Sequence, residues 1–219
     1  MAVAQHELHA PLQHEFGAGL DGDNRAAAEL PPDVAAFLAA GPAPVLFTAG
    51  TANAASHEFF ATSVAAAQLG GWRALLLTQD APQLPASLPA GVAHFSYVPF
   101  PALLPRVAAL VHHGGVGTTS QALRAGVPQL IRPMGFDQYD NALRALHLGV
   151  AQQLLPRHYI APRVVQALRH LLGDAAVPAR CAQVAQQMVA DLAAGQGIAA
   201  VCDAVLALPN RHVPIAPPG

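Results

Sequence analysis

The sequence predicts an α/β fold with a single doubly wound parallel sheet of about six strands. Short apolar segments alternate with longer amphipathic ones, an order that is typical of parallel strands joined by right-handed helical crossovers. A glycine-rich turn at residues 111–120 joins a strand to a helix, as in Rossmann-like sheets that bind ligands. After Gly173 the pattern is helical alone, so the sheet is expected to end before that residue.

The elements are assigned from these patterns in chain order. Strands are expected near residues 45–48, 73–78, 92–96, 107–111, 129–132 and 150–154. Helices are expected near residues 54–69, 118–125, 138–148 and 162–172, and then near 177–194 and 197–207. Residues 81–91 contain three prolines and are predicted to form a loop.

The 219 residues suit one domain with tails. Residues 1–30 lack hydrophobic periodicity and are interpreted as a leader or the remnant of a linker. Residues 31–208 carry the alternating pattern and form the predicted domain. The proline-rich residues 209–219 are expected to be a loose tail.

Composition excludes several classes of function. A net charge of −2 offers no electrostatic footprint for nucleic acid. Hydrophobic residues make up 53%, yet no apolar run reaches the length of a spanning helix, and no signal peptide is recognisable. A cytoplasmic protein without a transmembrane segment is therefore expected. All 11 basic residues are Arg, which removes the lysine of a nucleotide-hydrolysing P-loop and of a pyridoxal phosphate Schiff base.

The glycine-rich turn predicts a site for an anion. Gly115, Gly117 and Thr118 lie where a helix begins, so their N–H groups point beyond the end of the preceding strand. Glycine lets the backbone approach a phosphate closely, and the helix dipole favours negative charge there. The dinucleotide fingerprint is absent, because it lacks its third glycine and because Arg132, not an acid, ends the next strand.

The segment resembles the donor-binding signature of B-fold glycosyltransferases that use nucleotide sugars, especially the bacterial natural-product and macrolide enzymes of the UDP-glycosyltransferase superfamily. With the histidine of that signature placed on His113, its Gly-Val-Pro falls on 126–128, its Pro on Pro133 and its Asp-Gln on Asp137 and Gln138, without gaps. A second stretch, residues 44–53, is similar to the first strand and loop of the same domain. The resemblance implies the C-terminal, donor-binding half of that fold.

The resemblance also implies roles for individual residues. The donor diphosphate is expected to contact His113, Gly115, Gly117 and Thr118, with secondary contacts from Gly50 and Thr51. Gln121 is expected at the ribose, Asp137 and Gln138 at the transferred sugar, and Tyr97 and Val98 at the base.

Other readings of these residues stay open. His113 could bond to the neighbouring turn, Thr118 could be a helix cap, and Asp137 could cap the helix that follows it. His112 is expected to point away from the ligand, and Arg132 and Arg144 are the arginines expected nearest the cleft.

The resemblance implies a hexosyltransferase donor domain that binds a UDP- or TDP-sugar for transfer to a hydroxyl of a small-molecule acceptor. Since the acceptor half of such enzymes carries the catalytic base, no catalytic residue is assigned, and the chain is either truncated or completed by a separate acceptor chain. Alternatives are a module that binds nucleotide sugars without turnover and a nucleotide-sugar epimerase. No cofactor is expected, and no metal, because no Asp-x-Asp lies near the turn.

Overall fold

A computed structural model describes residues 29–50 and 56–193, and it confirms one parallel six-stranded sheet. The strands are β1 (Val45–Thr48), β2 (Ala74–Leu77), β3 (Val92–Phe95), β4 (Ala109–His112), β5 (Gln129–Ile131) and β6 (Ala151–Gln153). Their spatial order is β3-β2-β1-β4-β5-β6, and each neighbouring pair is parallel. The strand order therefore reverses between β1 and β4, where a crevice opens at the carboxyl ends of such sheets.

Seven helices accompany the sheet in the described ranges. They are α1 (Pro32–Ala39), α2 (His57–Gly70), α3 (Phe100–Leu103), α4 (Val116–Arg124), α5 (Gln138–His147), α6 (Ala161–Gly173) and α7 (Ala176–Ala193). Short 3₁₀ turns lie at Ala81–Gln83, Leu104–Arg106 and Pro156–His158, the first of them inside the segment predicted to be a loop. The expected helix at 197–207 and the tail at 209–219 lie outside the described residues, as does nearly all of the leader at 1–30.

Helix α1 differs from the prediction in its existence and helix α4 in its first residue, and each difference has a physical reason. Helix α1 was not expected, although Pro32 at its first position and the buried pair Val34 and Leu38, four residues apart, are signals of a helix start and an apolar face. Helix α4 begins at Val116 rather than at 118, because Gly115 takes the extended conformation of an N-cap, with φ −61° and ψ 141°.

Both faces of the sheet are covered by helices. In β1, Val45 and Phe47 belong to a core cluster shared with α2, α5, α6 and α7, whereas Leu46 belongs to a second cluster shared with α1 and α4. All four β1 residues are buried. Burial on both sides explains why the strands read as continuous apolar runs and not as alternating ones.

A buried histidine ends β4 and ties the following turn to the sheet. His112 is 0% exposed; its Nδ1 accepts a hydrogen bond from the Gly114 N–H at 3.1 Å, and its Nε2 lies 3.0 Å from Gln129 Oε1. Since Nδ1 accepts, the proton resides on Nε2, which donates to Gln129. Burial, and then the charge of His113, lower the pKa of His112 to about 3 against the opposing effect of the Gln129 bond. The ring is therefore neutral at neutral pH, and its burial and its two bonds agree with the structural role expected of it.

The buried neutral His112 predicts a specific acid sensitivity. Its pKa is lowered on folding, so its contribution to stability is complete above about pH 6.5 and is lost as the pH falls towards 3. Over that window the wild-type free energy of unfolding should fall relative to that of His112→Asn by about 1.4 kcal/mol per pH unit. Urea titrations at several pH values measure this, with the exposed His147→Asn as control. Parallel pH profiles for wild type and His112→Asn would contradict the assignment.

Candidate functional site

A cavity of about 640 Å³ opens beyond the carboxyl ends of β1, β2, β3 and β4, next to the start of α4. That volume lies within the range of ordinary small-molecule sites. Its walls come from the residues that follow each of these strands and from the first turns of α4. They are Thr48, Gly50, Leu77, Thr78, Gln79, Asp80, Gln83, Ser96, Tyr97, Val98, Phe100, His113, Gly115, Val116, Gly117, Thr118 and Gln121.

The cavity brings together most of the residues that the sequence singled out. Eight of them line it, namely Gly50, Tyr97, Val98, His113, Gly115, Gly117, Thr118 and Gln121. Thr51 lies outside the described residues. Asp137 and Gln138 do not line this cavity and belong to the neighbouring loop before α5.

The N-terminus of α4 presents free N–H groups to the cavity. The first intrahelical bond runs from Thr119 N to Gly115 O at 3.0 Å, so the N–H groups of Val116, Gly117 and Thr118 precede it. The N-cap is Gly115, which has no side chain to satisfy them. Thr118 is the third helical residue, so the alternative reading of Thr118 as the cap is wrong. This end of α4 can accept an anion.

His113 projects over two glycines in this site. A Cβ on Gly50 would lie 2.3 Å from Cε1 of the His113 ring, and one on Gly115 would lie 2.5 Å from its Nε2. Glycine is therefore required at both positions, and Gly50 also has a φ of +80°. The imidazole fills the space between the β1 turn and the β4 turn, at the point where the strand order reverses.

The surroundings of His113 keep its ring neutral and leave one ring nitrogen available to a ligand. Burial lowers its pKa, and the carboxylate of Asp137 opposes that shift. Its Nδ1 is buried and has no hydrogen-bond partner in the described part of the chain. A buried polar atom without a partner is costly, so a ligand that bonds to it would be favoured.

Gln121, in the second turn of α4, also has a buried polar atom that a ligand could bond to. Its Oε1 is buried, and among residues 29–50 and 56–193 it has no hydrogen-bond partner. Tyr97, at 47% exposure, stands at the rim, whereas Val98 as a whole residue is 2% exposed and packs in the core cluster of α1. Of these two residues, Tyr97 therefore offers a flat ligand group the larger surface.

Sequence reasoning missed a second set of lining residues. These are Thr48, Thr78, Gln79, Asp80, Gln83, Ser96 and Phe100. Thr48 ends β1, Thr78 follows β2 and Ser96 follows β3. Since ligands of such sheets bind beyond the carboxyl ends of the strands, the rule applied to β4 would have found these residues too. Asp80 is the acid among them, and it lies beyond β2.

The loop from β5 to α5 lies beside the cavity and is held by its own side chains. Gln138 Oε1 accepts hydrogen bonds from Met134 N at 2.8 Å and from Gly135 N at 3.3 Å. Phe136, in this loop, has a φ of +54° and is 97% exposed. Asp137 takes the N-cap position of α5, but its carboxylate makes no capping bond and instead accepts from Asn141 Nδ2 at 2.8 Å. The alternative reading, in which Asp137 satisfies free N–H groups of α5, is therefore wrong.

The two arginines expected near the cleft do not line it. Arg132 lies 5.3 Å from the centroid of the Tyr159 ring, and Arg144 pairs with Asp140 at 2.7 Å. Within the described ranges, no three His, Cys, Asp or Glu side chains are grouped closely enough to hold a metal ion. Across these same ranges, every helix is too short or too polar to span a membrane.

Comparison with known proteins agrees with this geometry. Residues 61–205 match the family model described as erythromycin biosynthesis protein CIII-like, C-terminal domain. O-mycaminosyltylonolide 6-deoxyallosyltransferase of Streptomyces fradiae is 33% identical over 161 residues, which are 73% of this chain and 38% of that protein. Vancomycin aglycone glucosyltransferase of Amycolatopsis orientalis is 36% identical over 161 residues, 68% of this chain and 37% of that protein.

Solved structures show the same relationship. The glycosyltransferase of kitacinnamycin superposes with a TM-score of 0.67 at 26% identity, covering 76% of this chain and 43% of that one. The glycosyltransferase VinC in complex with dTDP superposes with a TM-score of 0.62 at 29% identity, covering 74% and 41%. The chain thus spans less than half the length of these relatives. It belongs to the family of the erythromycin biosynthesis protein CIII-like C-terminal domain, found in natural-product glycosyltransferases of the B fold.

Proposed function

We propose that this chain is the donor-binding part of a hexosyltransferase and that it binds a UDP- or TDP-sugar for transfer to a hydroxyl group of a small molecule. The observation that carries the proposal is the N-terminus of α4, whose free N–H groups and the buried, unpartnered His113 Nδ1 face one cavity. Backbone N–H groups and a helix dipole together suit a diphosphate. The relative VinC was solved with dTDP, a ligand of this class.

The proposed positions of the ribose, the base and the sugar follow from their covalent connection to the diphosphate. The ribose lies against Gln121, whose Oε1 would gain a partner, and the base lies beside Tyr97 and Val98. The sugar points towards Asp137, whose carboxylate is near enough to His113 to oppose the lowering of its pKa. In this pose the residues that bind the phosphates also stabilise the charge that develops on the departing diphosphate.

The acceptor and the catalytic base are proposed to lie on the part of the relatives that this chain does not span, or on a separate acceptor chain. None of the described residues is assigned as the base. Two of the relatives are named for transfer to O-mycaminosyltylonolide and to the vancomycin aglycone. A module that binds without turnover remains the alternative, but no feature of the cavity favours it over transfer.

Titration calorimetry tests the proposal directly. The chain should bind UDP or TDP and their glucose conjugates with measurable heat, whereas adenosine and guanosine diphosphates should bind more weakly. Released nucleoside diphosphate is then measured after a macrolide aglycone is added, with and without a supplied acceptor domain. Release that depends on the acceptor supports transfer, and binding without any release supports the alternative. Absence of binding to every pyrimidine diphosphate would contradict both.

Replacing His113 by Ala should weaken binding of UDP or TDP by about tenfold, because a donor to the diphosphate is lost. The fold should survive, because the ring is only partly buried. Calorimetry measures the dissociation constants, and thermal unfolding checks the fold. The exposed His147→Ala is the matched control and should bind like wild type. Equal affinities in the two variants would refute the assignment of His113.

Donor binding should persist after treatment with EDTA and without added Mg²⁺ or Mn²⁺, because the α4 N–H groups and the helix dipole are proposed to stabilise the diphosphate charge, with a hydrogen bond from His113. Calorimetric titrations of UDP-glucose and TDP-glucose with and without the chelator measure this. Dissociation constants within about twofold are expected. Loss of binding in EDTA, restored by Mg²⁺, would show that a metal ion is required.

A further inference from the structure

Asn141 joins the two loops that border the proposed donor site. It lies in the first turn of α5 and is 6% exposed, while the preceding residues Tyr139 and Asp140 are exposed. Its Nδ2 donates to Gly114 O at 2.9 Å and to Asp137 Oδ2 at 2.8 Å. An amide nitrogen carries two hydrogens, so both are used. One side chain thus connects the turn after β4 with the loop after β5.

The contact changes what Asp137 would otherwise do. An aspartate at an N-cap ordinarily turns its carboxylate onto the free N–H groups of its own helix. Asp137 occupies the N-cap of α5 and makes no such bond, because its own backbone is already helical, with φ −66° and ψ −14°. Its Oδ2 is held by Asn141 instead, and its charge is close enough to raise the pKa of His113. The carboxylate is therefore held outside the capping geometry and within electrostatic reach of His113.

We propose that Asn141 is a positioning residue that fixes the Asp137 carboxylate relative to the phosphate-binding turn, so that the sugar and the diphosphate of one donor are recognised together. This inference rests on the proposed function. Without Asn141, the Asp137 carboxylate is free to rotate away, and the sugar loses a fixed acceptor while the diphosphate keeps α4 and His113. The signature of the role is a loss of sugar recognition without a matching loss of nucleotide binding.

Gly114, whose carbonyl accepts one of the two Asn141 bonds, has a sterically constrained backbone. Gly114 has a φ of +93°, and a Cβ on it would lie 2.8 Å from Ile131 Cγ2 and 3.1 Å from Gln138 O. Its N–H is bonded to His112 Nδ1 and its carbonyl to Asn141. The turn that positions the phosphates therefore also sets where Asn141 holds Asp137.

The test compares nucleotides with their sugar conjugates. Calorimetry gives the dissociation constants of UDP and UDP-glucose, and of TDP and TDP-glucose, for wild type, Asn141→Leu, Asp137→Ala and the double variant. In Asn141→Leu, the ratio of the UDP constant to the UDP-glucose constant should fall by about tenfold, while UDP binding changes by less than about threefold. Asp137→Ala should lower the ratio similarly, and the double variant no further, since both changes remove one contact.

A control variant, a replacement variant and an exchange measurement complete the test. Asp140→Ala, on the same helix and exposed, is the matched control and should leave the ratio unchanged. If Asn141→Leu does not fold, the isosteric Asn141→Asp replaces it, because it removes both donors and repels Asp137. In the wild-type chain, the Asn141 side-chain amide protons should exchange slowly with solvent by NMR, and exchange as fast as an exposed Asn would overturn the proposal.

The outcomes separate this inference from the proposed function. A chain that binds neither UDP nor TDP compounds overturns the proposed function. A ratio that falls in Asp137→Ala but not in Asn141→Leu overturns the positioning role alone. A ratio unchanged in both variants, with tight UDP binding, shows that Asp137 does not contact the sugar and overturns the inference while diphosphate binding stands.

Discussion

The structure depends on how one turn is held at the end of β4. His112, buried and neutral, accepts from the Gly114 N–H, and Asn141 donates to the Gly114 carbonyl. With both polar groups of Gly114 satisfied, the chain is directed into Gly115 and then into α4. If either bond were lost, a buried backbone group would be left without a partner. The direction of the free N–H groups of α4, and of His113 above them, is set by the φ of +93° at Gly114 and by the His112 bond, and the Asn141 bond joins this turn to α5.

The same turn also relates two regions that are separate in sequence. The strand order reverses between β1 and β4, so Gly50 after β1 and His113 after β4 are adjacent. The loop after β5 does not line the cavity, and Asn141 in α5 connects it to the turn after β4. The site is therefore built from the ends of neighbouring parallel strands, and each contribution is positioned by backbone geometry more than by side-chain packing.

Much of the sheet and of the phosphate-binding turn was predictable from local sequence patterns, because these features depend on residues that are close in sequence. The strands were found because burial on both faces makes them uniformly apolar, and the turn at 114–118 because glycine spacing reports backbone conformation directly. The roles of Thr118 and Asp137 were harder to predict. Whether a polar side chain caps its own helix depends on competing partners, and for Asp137 that partner is Asn141. Thr78 and Ser96 follow β2 and β3, and the rule that ligands bind beyond the carboxyl ends of parallel strands predicts them too, although no glycine-rich turn marks them in the sequence.

The placement of β1 at the middle of the sheet has a consequence for synthesis. Its two partners are β2, which follows soon in the chain, and β4, which follows only after β3 and its connection. As the polypeptide leaves the ribosome, one edge of β1 has no strand to pair with until β4 has emerged. Nascent chains at that stage expose the backbone of an apolar strand, and such edges invite pairing with other molecules. Translation speed through the segment between β2 and β4 would then influence how much of the protein reaches its native state in the cell.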